Sequence, residues 1–126
     1  MKGILILCGL ILAAGAALLV RQLMKPDHFG GPFAGLPLVE LKALAAAPAA
    51  QMGHGIQVRG RIVRQCPSAG CWFYLDDGAG HQVRIEMGQV FDQLPPRIGR
   101  QATVEGSLVK NGDAYELAGE IVEFSK

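Results

Sequence analysis

The stretch Cys66-Pro67-Ser68-Ala69-Gly70-Cys71-Trp72 places a short turn-forming segment between two cysteines. Residues 56–65 precede it with alternating apolar and polar side chains, and residues 71–76, three of them aromatic, continue the chain from its second cysteine. Alternation on both sides of a short turn predicts two antiparallel strands joined by a tight loop. The sequence therefore predicts a β-hairpin with one thiol at each end of its loop.

Further segments with a period of two lie at residues 81–87, 101–110 and 114–124. Asp77-Gly78 and Asn111-Gly112 predict hairpin turns, and Pro95-Pro96 ends a possible helical turn at residues 88–94. A change of phase near Gly119 indicates a β-bulge. Three antiparallel strands, a connection and two more strands follow the order of the OB-fold, a five-stranded Greek-key barrel.

Three patterns resemble the OB-fold superfamily over about residues 53–124: Val58-x-Gly60-x-Ile62, Phe73-x-Leu75-x-Asp77-Gly78-x-Gly80-x-x-Val83-x-Ile85 and Gly99-x-x-Ala102-x-Val104-x-Gly106. The chain looks most similar to OB domains of the tRNA-anticodon-binding type. It also resembles membrane-anchored or exported bacterial OB domains that carry a Cys-x4-Cys-Trp loop. The resemblance implies a mainly β fold, and it implies no settled activity.

An uncharged apolar run covers residues 3–20, which is about the length needed to cross a bilayer. Lys2 precedes the run, and Arg21 and Lys25 follow it. We therefore expect an N-terminal transmembrane helix within residues 1–25, acting as an uncleaved signal anchor. A cleaved signal peptide is the alternative, because Ala13 to Ala17 offers a weak cleavage site. The expected location is the bacterial inner membrane, single-pass, with the C-terminal domain facing the periplasm or the cell exterior.

Residues 26–37 are rich in glycine and proline, so we expect a flexible linker without a regular element. Residues 38–52 predict a short lead-in α-helix, with Leu38, Leu41 and Leu44 spaced by three and Pro48 as a break. Residues 53–126 then form the OB-fold domain. Residues 56–126 carry eight Lys or Arg and nine Asp or Glu, a net charge of −1 with histidine neutral. This balance gives no general attraction for nucleic acid.

The cysteine loop leaves several chemistries open. If Cys66 and Cys71 face each other across the hairpin, their spacing allows a disulfide, which an oxidising compartment favours. Two thiolates also suit a soft ion such as Cu(I) or Zn, with His54, His81 and Met87 as the possible additional ligands. Thiol exchange is a third possibility. We expect no resident cofactor, with copper or zinc as the alternative.

Alternation places Trp72 and Tyr74 on the outward side of the second strand. It also places Arg59, Arg61 and Arg84 nearby, on the outward sides of the first and third strands. We predict that these five residues form a ligand-binding face. No catalytic triad, phosphate loop or catalytic carboxylate pair is recognisable, so the expected function is a non-enzymatic binding module for a protein or small polar ligand near the membrane. OB domains commonly bind single-stranded nucleic acid, but the charge and the expected export disfavour that alternative.

Overall fold

A computed structural model describes residues 2–24, 27–67, 71–88, 90–91 and 93–125, with backbone alone for residues 2–5 and 20–24. The described residues form two helices, α1 (Lys2–Met24) and α2 (Leu41–Ala46), and a 3-10 turn at Pro48–Gln51 follows the second. The strands are β1 (Asp27–Phe29), β2 (Gly55–Gln65), β3 (Trp72–Asp76), β4 (Gln82–Glu86), β5 (Gln101–Asn111) and β6 (Ala114–Phe124).

Strands β2 to β6 close into a five-stranded barrel with the order β2-β3-β4-β6-β5, and β5 returns to pair with β2. The β4–β6 pair is parallel and the other barrel pairs are antiparallel. This is the strand arrangement of a Greek-key OB barrel. The predicted mainly β, OB-fold-like architecture is confirmed.

Alternate residues of each strand fill the barrel interior, as the period of two requires. Phe73 and Phe124 are fully buried and pack edge to face, with ring centroids 5.9 Å apart. Leu41 and Leu44 of α2 are also buried and belong to the same core. The predicted lead-in helix at residues 38–52 is thus shorter than expected, and Leu38 instead bridges to Gln57 of β2 in an extended conformation.

Two bulges interrupt the alternation. In the β5–β6 pair, Glu105 faces Ile121 while Gly106 faces Gly119, so the bulge predicted near Gly119 is confirmed. In the β2–β3 pair, Ile62 faces Leu75 while Arg64 faces Tyr74, which makes the intervening Val63 the extra residue. This second bulge was not predicted, and it changes which side chains of β2 point outward.

The segment at residues 27–40 is attached to the barrel. β1 pairs with the end of β6, so the expectation that residues 26–37 hold no regular element was wrong. The carboxylate of Glu105, which is 1% exposed, accepts hydrogen bonds from the backbone N–H groups of Ala34 (2.6 Å) and Leu36 (3.0 Å). The side-chain amide of Gln57 donates to the same carboxylate at 3.2 Å. A buried acceptor therefore stabilises a segment whose composition suggested a free linker.

Residues 3–20 form part of the helix α1, and every side chain described in it, residues 6–19, is exposed. Within the described part of the chain, we find no helix with the length and apolar character needed to cross a membrane. The transmembrane anchor predicted for residues 3–20 is not found there and stays a prediction.

Candidate aromatic–arginine binding site

Four side chains meet on the outer surface of β2, β3 and β4. Trp72 and Tyr74 point outward from β3 because Phe73, between them, is buried in the core. Tyr74 has Arg64 of β2 as its cross-strand partner on one side and Arg84 of β4 on the other. We call Arg64, Trp72, Tyr74 and Arg84 the aromatic–arginine strip.

The two rings of the strip pack edge to face, with centroids 5.9 Å apart and an interplanar angle of 86°. The guanidinium carbon of Arg84 lies 4.8 Å from the centroid of the Trp72 ring, and that of Arg64 lies 4.3 Å from the Tyr74 ring. Each guanidinium carbon is 6.0 Å from the centroid of the other ring. All four contacts are within cation–π range, so the aromatic pair is flanked on both sides by positive charge.

Two carboxylates, one on β4 and one on β6, form ion pairs with the guanidinium of Arg84. Its Nη2 donates to Oε2 of Glu86 at 3.2 Å, and its Nε lies 3.4 Å from Oε2 of Glu116. The second contact is an ion pair without a hydrogen bond, since Nε is buried and has no hydrogen-bond partner among the described residues. Arg84 is therefore held in place by two carboxylates.

The two arginines of the strip lower the pKa of Tyr74. A hydrogen bond with Arg84, and a second with Arg64, holds the pKa of the Tyr74 hydroxyl below its usual value, against the opposing effect of burial. Arg64 itself is exposed, and among the described residues no carboxylate lies within 4.0 Å of its guanidinium. Arg64 is thus the cation of the strip that a ligand can still pair with.

The structure divides the five predicted face residues into two groups. Trp72, Tyr74 and Arg84 lie together, whereas Arg59 and Arg61 line a separate cavity of about 380 Å³ with residues of β3, the β3–β4 turn and β5. Arg64 was missed, since strict alternation places it inward with Ile62. A charged residue at a nominal core position was the signal for the bulge at Val63 that turns Arg64 outward.

The cysteine loop borders the strip at Trp72. The backbone N–H of Cys66 donates to the carbonyl of Trp72 at 3.0 Å, and the carbonyl of Cys71 accepts from the N–H of Met87 at 2.7 Å. Cys66 therefore faces Trp72 and not Cys71. The predicted disulfide between Cys66 and Cys71 is absent, and this register is the physical reason: the two cysteines are one position out of alignment.

The thiol of Cys66 and the carboxylate of Glu86 nevertheless affect the ionisation of Cys71. Burial first, then the neighbouring thiol of Cys66 and the carboxylate of Glu86, raises the pKa of the Cys71 thiol, against the smaller opposing effect of a backbone hydrogen bond. Cys71 is therefore a protonated thiol near neutral pH. Residues 68–70 of the loop lie outside the described residues.

The additional metal ligands predicted from the sequence do not join the thiols. His81 pairs with Asp77 at the far end of the β3–β4 hairpin, with Nδ1 2.6 Å from Oδ2. His54 precedes the start of β2, whereas Cys66 follows its end, and Met87 is fully buried in the core. Across the described ranges, no three His, Cys, Asp or Glu side chains are grouped so that they could hold a metal ion.

No protein-family model and no curated protein matches the chain. A solved structure with the same fold is the hypothetical protein ygiW from E. coli. The two share 14% sequence identity with a TM-score of 0.51, and the match covers 76% of this chain and 96% of ygiW. At this level of identity the likeness concerns the fold alone. The chain is accordingly similar to a bacterial protein with an OB-fold-like barrel.

Proposed function

We propose that the chain is a non-enzymatic binding module that contacts a protein partner through the aromatic–arginine strip. The observation that carries this proposal is the Trp72–Tyr74 pair, held edge to face between Arg64 and Arg84 on the outside of the barrel. Trp, Tyr and Arg supply most of the strong contact points in protein interfaces. Because these side chains already support one another, little conformational entropy is lost when a partner binds.

The local charge favours a protein over a nucleic acid. Arg84 is neutralised by Glu86 and Glu116, which leaves Arg64 as the cation available to a ligand. Nucleic-acid binding relies on several phosphate contacts and on aromatic rings free for base stacking. Here the guanidiniums of Arg64 and Arg84 flank both rings. The partner that fits best offers a carboxylate to Arg64 and an apolar side chain to the ring edges.

Affinity capture with the full-length chain tests this proposal. The Arg64→Ala/Trp72→Ala variant removes one flanking cation and one ring, and we expect it to lose the specific partner that the wild type retains. The Arg59→Ala/Arg61→Ala variant is the matched control, since it removes two arginines of the same strand that line the separate cavity. The proposal fails if the strip variant keeps every partner, or if the control loses the same ones.

A fluorescence-anisotropy titration with a single-stranded oligonucleotide tests the nucleic-acid alternative. We expect no saturable binding at low salt, where phosphate contacts are strongest. Tight binding that weakens steeply with salt and is lost in Arg64→Ala/Trp72→Ala would replace the protein partner with a nucleic acid.

We further propose that α1 tethers the barrel to the bacterial inner membrane, with the barrel exported. Support comes from its apolar side chains, among which Ile6, Leu10 and Leu12 are 66%, 64% and 74% exposed. Apolar surface of this kind is normally covered by lipid or protein. Alkaline extraction should leave the full-length chain in the membrane pellet and release the Leu10→Lys/Leu12→Lys variant. Release of both would contradict the tether.

A further inference from the structure

Two arginines outside the aromatic–arginine strip line a cavity and have no acidic partner there. Arg59 and Arg61 are exposed and lie two positions apart on β2, so both point to the outer side of the barrel. Together with Asp76, at the end of β3, they line the cavity of about 380 Å³. No carboxylate of the described residues lies within 4.0 Å of either guanidinium. Both cations are therefore available to a ligand.

Asp76 supplies a negative charge to the same cavity. It is the cross-strand partner of Arg61, a position at which opposite charges ordinarily pair. The two charged groups nevertheless lie more than 4.0 Å apart. The carboxylate of Asp76 instead accepts hydrogen bonds from the backbone N–H of Gly78 at 2.6 Å and from the side-chain amide of Gln82 at 2.9 Å. The cavity thus presents charges of both signs that do not neutralise each other, which suits a ligand that carries both.

A second cavity, of about 320 Å³, adjoins the first and offers an apolar wall. The two cavities share Arg59 and Asp77 in their linings. The second is also lined by Leu38, which is 51% exposed, and by Val39. Backbone hydrogen bonds to Gln57 hold this segment against β2, since the N–H of Val39 donates to the carbonyl of Gln57 at 2.8 Å. The apolar wall is therefore fixed in place beside the charged groups.

We propose that the two cavities bind a free α-amino acid with an apolar side chain. Its carboxylate binds Arg59 and Arg61, because guanidinium groups match the geometry of a carboxylate. Its ammonium group donates to the carboxylate of Asp76. Its side chain lies against Leu38 and Val39, where binding removes apolar surface from water. Cavities of this size and mixed lining are typical of small-molecule sites.

Isothermal titration calorimetry of the full-length chain in detergent, with L-leucine as the probe, tests the site. We expect saturable binding of one leucine per chain. N-acetyl-L-leucine lacks the ammonium group and L-leucinamide lacks the carboxylate. Each should bind at least about tenfold more weakly, since each loses a hydrogen bond between charged groups. Glycine, which has no apolar side chain, should also bind more weakly than leucine.

Arg59→Gln/Arg61→Gln should abolish leucine binding, and circular dichroism should show the wild-type fold. Asp76→Asn keeps an acceptor for the turn and should weaken binding at least about tenfold, because it removes the partner of the ammonium group. Lys110→Gln is the control. It removes an exposed cation at the other end of β5 from Gln101, which lines the first cavity, and it should bind leucine as the wild type does.

The proposal is overturned if the wild type binds no leucine, if either blocked analogue binds as tightly as leucine, or if Arg59→Gln/Arg61→Gln keeps the wild-type affinity. The analogues are measured on the wild-type chain, so their outcome does not depend on the folding of a variant. None of these results depends on the partner of the strip, since Trp72 begins β3 and Asp76 ends it.

Discussion

The guanidinium of Arg84 lies over the ring of Trp72, with its central carbon 4.8 Å from the ring centroid. The same guanidinium contacts two carboxylates on neighbouring positions of the sheet, Glu86 and Glu116. A cation held from one side by acids and from the other by an aromatic ring has little freedom to move. This relationship makes the strip a preorganised surface and links its stability to that of the barrel.

A double-mutant cycle measures the Arg84–Trp72 contact. We expect Arg84→Ala and Trp72→Ala to couple by about 0.5–2 kcal/mol in urea unfolding, the range between exposed and desolvated cation–π pairs. Arg84→Ala alone should cost more than this coupling, because it also leaves Glu86 and Glu116 without their cation. Strictly additive effects of the two substitutions would show that the contact contributes nothing.

The ionisation of Tyr74 reports the charge around the strip. The chain has two tyrosines, so a Tyr115→Phe background isolates Tyr74 in a titration of phenolate absorbance. The hydrogen bonds to Arg84 and Arg64 lower the pKa of Tyr74, so we expect its midpoint below that of an ordinary tyrosine, about pH 10. Arg84→Gln should move the midpoint upward, and an unchanged midpoint would contradict the geometry.

Because the pKa of Tyr74 is lower in the folded chain, ionisation of Tyr74 stabilises the fold at high pH. The folded chain favours the ionised Tyr74 more than the unfolded chain does, so the stabilisation is fully present above about pH 10. It is lost as the pH falls through the lower, folded-state pKa. At neutral pH Tyr74 therefore contributes no such electrostatic stabilisation.

Glu105 should control the attachment of the N-terminal segment. Glu105→Ala removes the acceptor for Ala34, Leu36 and Gln57, and we expect a loss of about 1–3 kcal/mol of unfolding free energy because donors are left buried. Hydrogen exchange at the amides of Ala34 and Leu36 should become faster. Glu120→Ala, an exposed acid on β6, is the control and should change stability by no more than about 0.5 kcal/mol. Unchanged exchange at both amides in Glu105→Ala would show that the segment is held by other contacts.

The barrel was predictable because the sequence patterns that indicate its strands and turns are local. Alternation, the Asn111-Gly112 turn and the phase change near Gly119 each depend on residues close together in the chain, and together they fix the number and order of the strands. The docking of residues 27–40 was not predictable in this way. It depends on Glu105, about seventy residues later, whose burial in a strand breaks the usual pattern of exposed acids.

The candidate site was predictable in part. The two wrong predictions, the omission of Arg64 and the Cys66–Cys71 disulfide, have one physical origin. Trp72, Tyr74 and Arg84 were found because β3 and β4 alternate without interruption. The bulge at Val63 shifts the end of β2 by one residue, which brings Arg64 outward and aligns Cys66 with Trp72. The missed arginine and the absent disulfide thus share one cause, a bulge that strict alternation leaves out and that the charged Arg64 at a nominal core position signals in the sequence.

Site-specific photo-crosslinking in cells tests the central claim, that the strip is a protein-binding surface, most directly. A photoreactive phenylalanine at position 74 lies within the strip, and the same group at position 98, where Ile98 is 62% exposed, is the control. We predict a discrete crosslinked protein from position 74 that is absent from position 98 and is lost when Arg64→Ala is added. No adduct at position 74, or the same adducts from both positions, would contradict the claim.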